Sequence, residues 1–158
     1  MNLDFAQYQA LIALYSDYVA AIDEERWQDW ANLFTEDCIY RIQPRKNYEN
    51  DFPFATLSFE SKGMLLDRAY AIEETLFHDP YYQRHIVGLP IIKAANEGRI
   101  ECEANYAVFR TKQNELSTVF NVGRYIDIIV PGESRLKIAS RQCIFDSEMI
   151  PNSLIYPI

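Results

Sequence analysis

The hydrophobic period of this chain changes once, near Tyr81, and that change limits its fold more than any other feature. Before it, apolar residues return every three or four positions. Phe5, Tyr8, Ile12, Tyr15, Val19 and Ile22, with Leu11, Leu14 and Tyr18 widening the stripe, predict an amphipathic helix over residues 4–25. After the charged break Asp23-Glu24-Glu25-Arg26, the residues Trp27, Trp30, Ala31 and Phe34 keep the same spacing and predict a short second helix. Residues 37–43 read as a strand, Pro44 to Pro53 as a polar loop, and 55–59 as a second short strand. Ser61 is placed to cap a third helix with Leu65, Ala69, Ile72 and Leu76 on its buried face, ending near Phe77-His78-Asp79-Pro80.

From Tyr81 the period is two. Ile100, Cys102, Ala104, Tyr106 and Val108 alternate with Glu101, Glu103 and Asn105; Thr118, Phe120 and Val122 alternate with Asn121 and Gly123; Leu136 and Ile138 begin a last strand running to Phe145. An earlier strand carries His85, Val87, Leu89 and Ile91 on one face. Turn residues at 96–98, 113–115 and 131–133 separate them, so four consecutive strands form an antiparallel meander. Helices first and long strands afterwards specify an α+β architecture with the helices on one face of the sheet. Strands this long twist and curl, which yields a half-open cone with a pocket between helices and sheet. Without internal repeats, one domain spanning 1–158 accounts for the pattern.

Composition removes several classes of partner. A formal charge of −8, with acidic residues spread along the chain, repels a phosphate backbone, so no nucleic acid is expected. No apolar run approaches the ~20 residues that span a bilayer, and Met1-Asn2-Leu3-Asp4 does not read as a signal peptide; a cytoplasmic protein without membrane contact is expected. Cys38, Cys102 and Cys143 are odd in number, far apart and set in apolar strands. They read as buried thiols rather than disulfides or zinc ligands.

Few residues can carry chemistry. A two-histidine, one-carboxylate iron site would need both His78 and His85, with Asp79 between them in a proline-bounded loop, a poor geometry. No cysteine has a histidine two or three positions away, as a Rieske cluster requires. Catalytic, cofactor-binding and metal-binding residues are therefore expected to be none. The alternative is a dehydratase- or isomerase-like enzyme in which His85 points into the cone and acts as acid and base beside Tyr15, Tyr40 or Asp37, with Asp67 within the same reach. Against it stands a histidine simply bonded to a tyrosine or carboxylate in the core. The ending Met149–Ile158 is apolar and proline-containing. Such a tail either folds back over its own sheet edge or docks on another subunit.

The pair Trp27-Gln28-Asp29-Trp30 and Phe34, the strand Asp37-Cys38-Ile39-Tyr40-Arg41-Ile42 and the segment Asp79-Pro80-Tyr81-Tyr82-Gln83-Arg84-His85-Ile86-Val87-Gly88 together resemble the β (small) subunits of Rieske non-haem iron aromatic ring-hydroxylating oxygenases. Within that family, the stretch Glu60–Arg68 and the ending Asp146–Ser153 look closest to salicylate 5-hydroxylase small subunits, with anthranilate and terephthalate dioxygenase small subunits near them. The resemblance implies a cone like nuclear transport factor 2, with three helices of the first half packed on a strongly curved, mostly antiparallel sheet. It implies a non-catalytic subunit scaffolding an α3β3 hexamer with other β subunits and a catalytic α subunit. That partner would carry a Rieske [2Fe–2S] cluster and mononuclear Fe(II), receive NAD(P)H electrons through a reductase or ferredoxin, and hydroxylate an aromatic carboxylate such as salicylate. The tail, Trp27, Trp30 and the Arg45-Lys46 loop are the candidates for the contact surface.

Overall fold

The computed structural model describes residues 3–150 and 153–158. Helix α1 (Phe5–Asp23) begins at a capping box: the Asp4 carboxylate accepts the Gln7 N–H at 2.8 Å, and the Gln7 side chain accepts the Asp4 N–H at 3.0 Å. It is followed by α2 (Trp27–Ala31), β1 (Phe34–Pro44), α3 (Arg45–Glu49), β2 (Leu57–Phe59) and α4 (Lys62–Tyr70). Ser61 caps α4 by accepting the Met64 N–H at 3.2 Å. Five strands complete the chain: β3 (Tyr81–Val87), β4 (Ile91–Asn96), β5 (Arg99–Lys112), β6 (Thr118–Pro131) and β7 (Leu136–Phe145).

These strands form one sheet in the order β2-β1-β7-β6-β5-β3, with β4 pairing β5 beyond β3. All neighbours are antiparallel except β1 and β7, which run parallel. The inward face of the sheet wraps α1 and α2, and the core lies between them: Leu11, Leu14, Tyr18 and Ile22 from α1, Trp27 and Trp30 from α2, Tyr40, Val108, Tyr125 and Cys143 from the sheet. Gly123 permits the closest approach inside the sheet, since a Cβ there would stand 2.0 Å from the Ile144 carbonyl oxygen.

The α+β cone matches the expectation, with five local departures. The second helix stops at Ala31, and Phe34 already opens β1, whose eleven residues exceed the seven predicted. A one-turn helix, α3, occupies the start of the expected loop. The third helix widens into a π-helical turn at Ala71–Thr75 and ends there, just short of the expected end near Phe77. The strand holding His85 breaks at Gly88-Leu89-Pro90. Because the chain re-enters the sheet on the other phase, Ile92 turns inward while Leu89 and Ile91 face solvent, so neither shares the face of His85. A register irregularity near Val108 has the same effect on β6: Phe120 and Asn121 are both buried, and Val122 moves to the outer face.

Candidate functional site

The place where this fold could hold a ligand is the cone, and its own tail fills it. Leu154, Tyr156, Pro157 and Ile158 are buried, and Ile158 is wholly shielded from solvent. The Tyr40 hydroxyl accepts the Ile158 N–H at 2.9 Å and donates to its carbonyl oxygen at 2.8 Å. The Tyr18 hydroxyl and, at 3.5 Å, the Cys143 thiol reach the same oxygen. Tyr156 packs between Trp27 and Tyr81, with ring centroids 5.0 and 4.6 Å away, and its hydroxyl meets His78 Nε2 at 2.8 Å. The tail thus folds back into the mouth of the cone, between helices and sheet, rather than along a sheet edge. Pro151 and Asn152 lie outside the described residues.

Deeper in, β6 and β7 face each other in register through Asp127 and Arg141. The guanidinium donates to the carboxylate twice, Nε to Oδ1 at 2.9 Å and Nη2 to Oδ2 at 2.6 Å, and both side chains are fully buried. Tyr15 donates its hydroxyl to the same carboxylate. Three rings surround the cation, with Tyr18, Tyr125 and Tyr15 centroids 4.0, 4.1 and 4.7 Å from Cζ. Burial alone would lower the Arg141 pKa; attraction and hydrogen bonding to Asp127, joined by Tyr15 and Tyr18, together outweigh it and hold the group charged. Burial pushes the Tyr40, Tyr125 and Tyr15 hydroxyls well above their usual range. This interior is neutralised pairwise and offers no free carboxylate to a substrate.

His85 lies apart from that interior set. Its Nδ1 stands 2.5 Å from Asp23 Oδ1, and its main-chain N–H donates to Asp23 Oδ2 at 3.0 Å. Asp23 at the end of α1 therefore satisfies both the ring and an outward N–H of the sheet-edge strand β3, clipping helix to sheet. The groups named beside His85 in the acid–base alternative do not assemble around it. Asp37 and Asp67 are exposed, and Tyr40 is committed to Ile158; only Tyr15 lines the same open groove as His85. His78 is engaged by Tyr156, so the two histidines and Asp79 serve separate contacts, Asp79 pairing with Lys112 at 2.9 Å. Among the described residues, no three His, Cys, Asp or Glu side chains converge in a way that could hold a metal ion. The three cysteines are free and buried.

Two expectations about surface are overturned. Trp27 and Trp30 are buried, because α2 presses both rings into the core, and the tail spends its apolar residues inside the cone. Of the three candidate contact surfaces, the loop of Arg45 and Lys46 is exposed. Sequence reasoning missed Asp23, read only as part of a charged helix break, and the pair Asp127–Arg141. The signal for the pair was one charged residue at an inward position of each of two adjoining strands.

The fold has close counterparts. The sequence model of the family described as "Ring hydroxylating beta subunit" matches residues 18–152. The chain is 28% identical over 155 residues to the anthranilate 1,2-dioxygenase small subunit of Burkholderia cepacia, covering 98% of this chain and 96% of that one. It is 25% identical over 148 residues to subunit β 1 of the terminal oxygenase component of terephthalate 1,2-dioxygenase from Comamonas sp, covering 94% and 96%. A crystal structure of a β subunit assigned to an aromatic-ring-hydroxylating dioxygenase of Novosphingobium aromaticivorans superposes with a TM-score of 0.89 at 30% identity, covering 98% of this chain and all of that one. The β subunit of benzoate 1,2-dioxygenase from Burkholderia mallei shares the fold, with a TM-score of 0.74 at 13% identity, covering 92% of this chain and 93% of that one. A family match across most of the chain, joined to a shared fold over nearly its whole length, places it plainly: the chain belongs to the ring-hydroxylating β subunit family.

Proposed function

We propose that this chain is the non-catalytic small subunit of an aromatic ring-hydroxylating oxygenase, building an α3β3 assembly around a larger subunit that performs the reaction. The observation that carries this reading is the packed interior: Ile158 lies buried between helices and sheet, hydrogen-bonded by Tyr18 and Tyr40. Asp127 is matched to Arg141 and Asp23 to His85 Nδ1, so both buried carboxylates are held in ion pairs.

The chemistry then lies in the partner, whose Rieske [2Fe–2S] cluster passes NAD(P)H-derived electrons from a reductase to a mononuclear Fe(II) that activates dioxygen. No residue of this chain binds cofactor or metal in that scheme; its role is to hold the large subunits in register, in the cytoplasm. The relatives named for anthranilate and terephthalate support an aromatic carboxylate as substrate, and salicylate is the member of that class proposed here. The test is turnover of salicylate, anthranilate and terephthalate by the large subunit, its reductase and this chain. Hydroxylated product is expected only when both subunits are present, and a His78→Ala/His85→Ala small subunit that still assembles is expected to support the same rate. Product formed by the small chain alone, or lost with the two histidines in an intact assembly, refutes the reading.

A further inference from the structure

The chain carries 23 acidic residues against 15 basic ones, so a partly buried guanidinium left without a carboxylate stands out. Arg110, near the end of β5, is such a group. Among the described residues no Asp or Glu pairs with it, whereas Lys112, two positions on and on the same face of the strand, pairs with Asp79 at 2.9 Å. The Arg110 guanidinium lies over the Phe120 and Tyr81 rings, 5.0 and 5.6 Å from their centroids. Those rings hold the cation through their faces and leave its N–H donors unused.

Arg110 lines a cleft of about 130 Å³ whose apolar walls come from three separate segments. Tyr81 opens β3 directly across from Lys112, Phe77 precedes that strand, and Ile155 belongs to the tail. The Phe77 ring is wholly exposed, so it contributes nothing to the core. His78 also borders the cleft, but its Nε2 is engaged by the Tyr156 hydroxyl. Asp79 on the rim is offset by Lys112, which leaves the cleft one positive charge, that of Arg110. A cavity of about 150 Å³ accepts one benzene-sized ring, so this open cleft takes a carboxylate and most of the ring that bears it.

We propose that the cleft at the end of β5 binds a small aromatic monocarboxylate, with the Arg110 guanidinium holding the carboxylate and the Phe77 ring packing on the aromatic ring. A planar fork of N–H donors matches the two oxygens of a carboxylate, and an exposed aromatic wall matches a flat apolar body. A dianion such as phosphate is disfavoured, since a single uncompensated charge faces it and the Asp79 carboxylate stands on the rim. The site stands on the cleft alone, whatever partner the chain assembles with, and it lies on this chain rather than where the reaction is placed. Because Ile155 forms one wall, a bound ligand also pins the tail.

The test is an NMR titration of the purified, isotope-labelled full-length chain at fixed ionic strength, with benzoate as the probe and benzamide, acetate and inorganic phosphate as comparisons. Benzoate is expected to shift the amide signals of residues 77–82, 109–113 and 153–155 saturably. Benzamide lacks the charge and acetate the ring, and each is expected to bind about tenfold more weakly or worse, as is phosphate. Arg110→Gln is expected to weaken benzoate by about tenfold or more, and Phe77→Ser to weaken benzoate while leaving acetate unchanged. Lys46→Gln, a cation of α3 outside the cleft, is expected to change nothing. Phe77 is wholly exposed, so its variant keeps the fold and carries the test even if circular dichroism shows Arg110→Gln to be unfolded. Hydrogen exchange at 154–158 is expected to slow in benzoate. Benzoate shifts that are absent, that do not saturate or that fall elsewhere overturn the proposal. So do phosphate or benzamide binding as tightly as benzoate, and a folded Arg110→Gln or Phe77→Ser that binds benzoate like the wild type.

Discussion

Arg141 and Asp127 face each other across β7 and β6 as a doubly hydrogen-bonded ion pair with no exposure to solvent, under a canopy of three tyrosine rings. Removing one partner strands a buried charge. Asp127→Asn is therefore expected to destabilise the fold by about 3–5 kcal/mol, whereas the double change Asp127→Leu/Arg141→Met recovers most of that loss. Urea unfolding midpoints decide it; a single variant as stable as the wild type contradicts the account of the core.

The tail is held chiefly through one hydroxyl. Tyr40→Phe removes both of its contacts to the Ile158 main chain and leaves the buried Ile158 N–H without a partner, while the oxygen keeps the Tyr18 hydroxyl, at an expected cost of about 1–3 kcal/mol. Faster hydrogen exchange at 154–158, with little change in β5 and β6, is the signature of local release. Unchanged exchange at those residues means that the tail is anchored elsewhere.

Asp23 and His85 join α1 to the sheet edge. Asp23→Ala is expected to lower stability by about 1–3 kcal/mol through the unpaired His85 groups, while turnover per assembled oxygenase stays at the wild-type value. A thermal shift measured beside a steady-state rate separates the two. Lost turnover in fully assembled complex speaks for an acid–base role of His85 instead.

Burial pushes the Cys102 and Cys143 thiols up to about 12 from an ordinary value of 9.0. Both are expected to resist alkylation near pH 8 until the chain unfolds. The sign for stability follows from the same shift. Unfolded thiols lose protons near pH 9 and folded ones do not until about 12, so the unfolded state binds fewer protons in between. Stability is complete below about pH 9 and falls toward 12, and the raised tyrosines Tyr40 and Tyr125 act in the same direction. Urea midpoints at about pH 8 and pH 10.5 check this; a rise with pH contradicts it.

Much of the architecture could be read from spacing. Helix α1, the cap at Ser61 and the inward set Ile100, Cys102, Ala104, Tyr106 and Val108 all followed from local periodicity, because each depends on neighbours a few positions away. What escaped depends on long-range register. A one-residue phase change at Pro90 sent Ile91 outward, an irregularity near Phe120 inverted the rest of β6, and the parallel pairing of β1 with β7 joins segments about a hundred residues apart. The partner of His85 is likewise 62 residues away, on the helix end that composition marked only as charged. The tail was legible as apolar, but apolarity does not say which surface it covers. Trp27 and Trp30 show the same limit: large rings suit interfaces and cores alike, and here they fill the core.

The most direct test of the central claim is native mass and iron content, measured for this chain alone and after co-expression with a Rieske-type large subunit. The account predicts no iron in the isolated chain and a co-purified complex with equal numbers of both subunits, whose iron follows the large subunit alone. An iron-bearing small chain, or one that never enters a complex with any such partner, contradicts it.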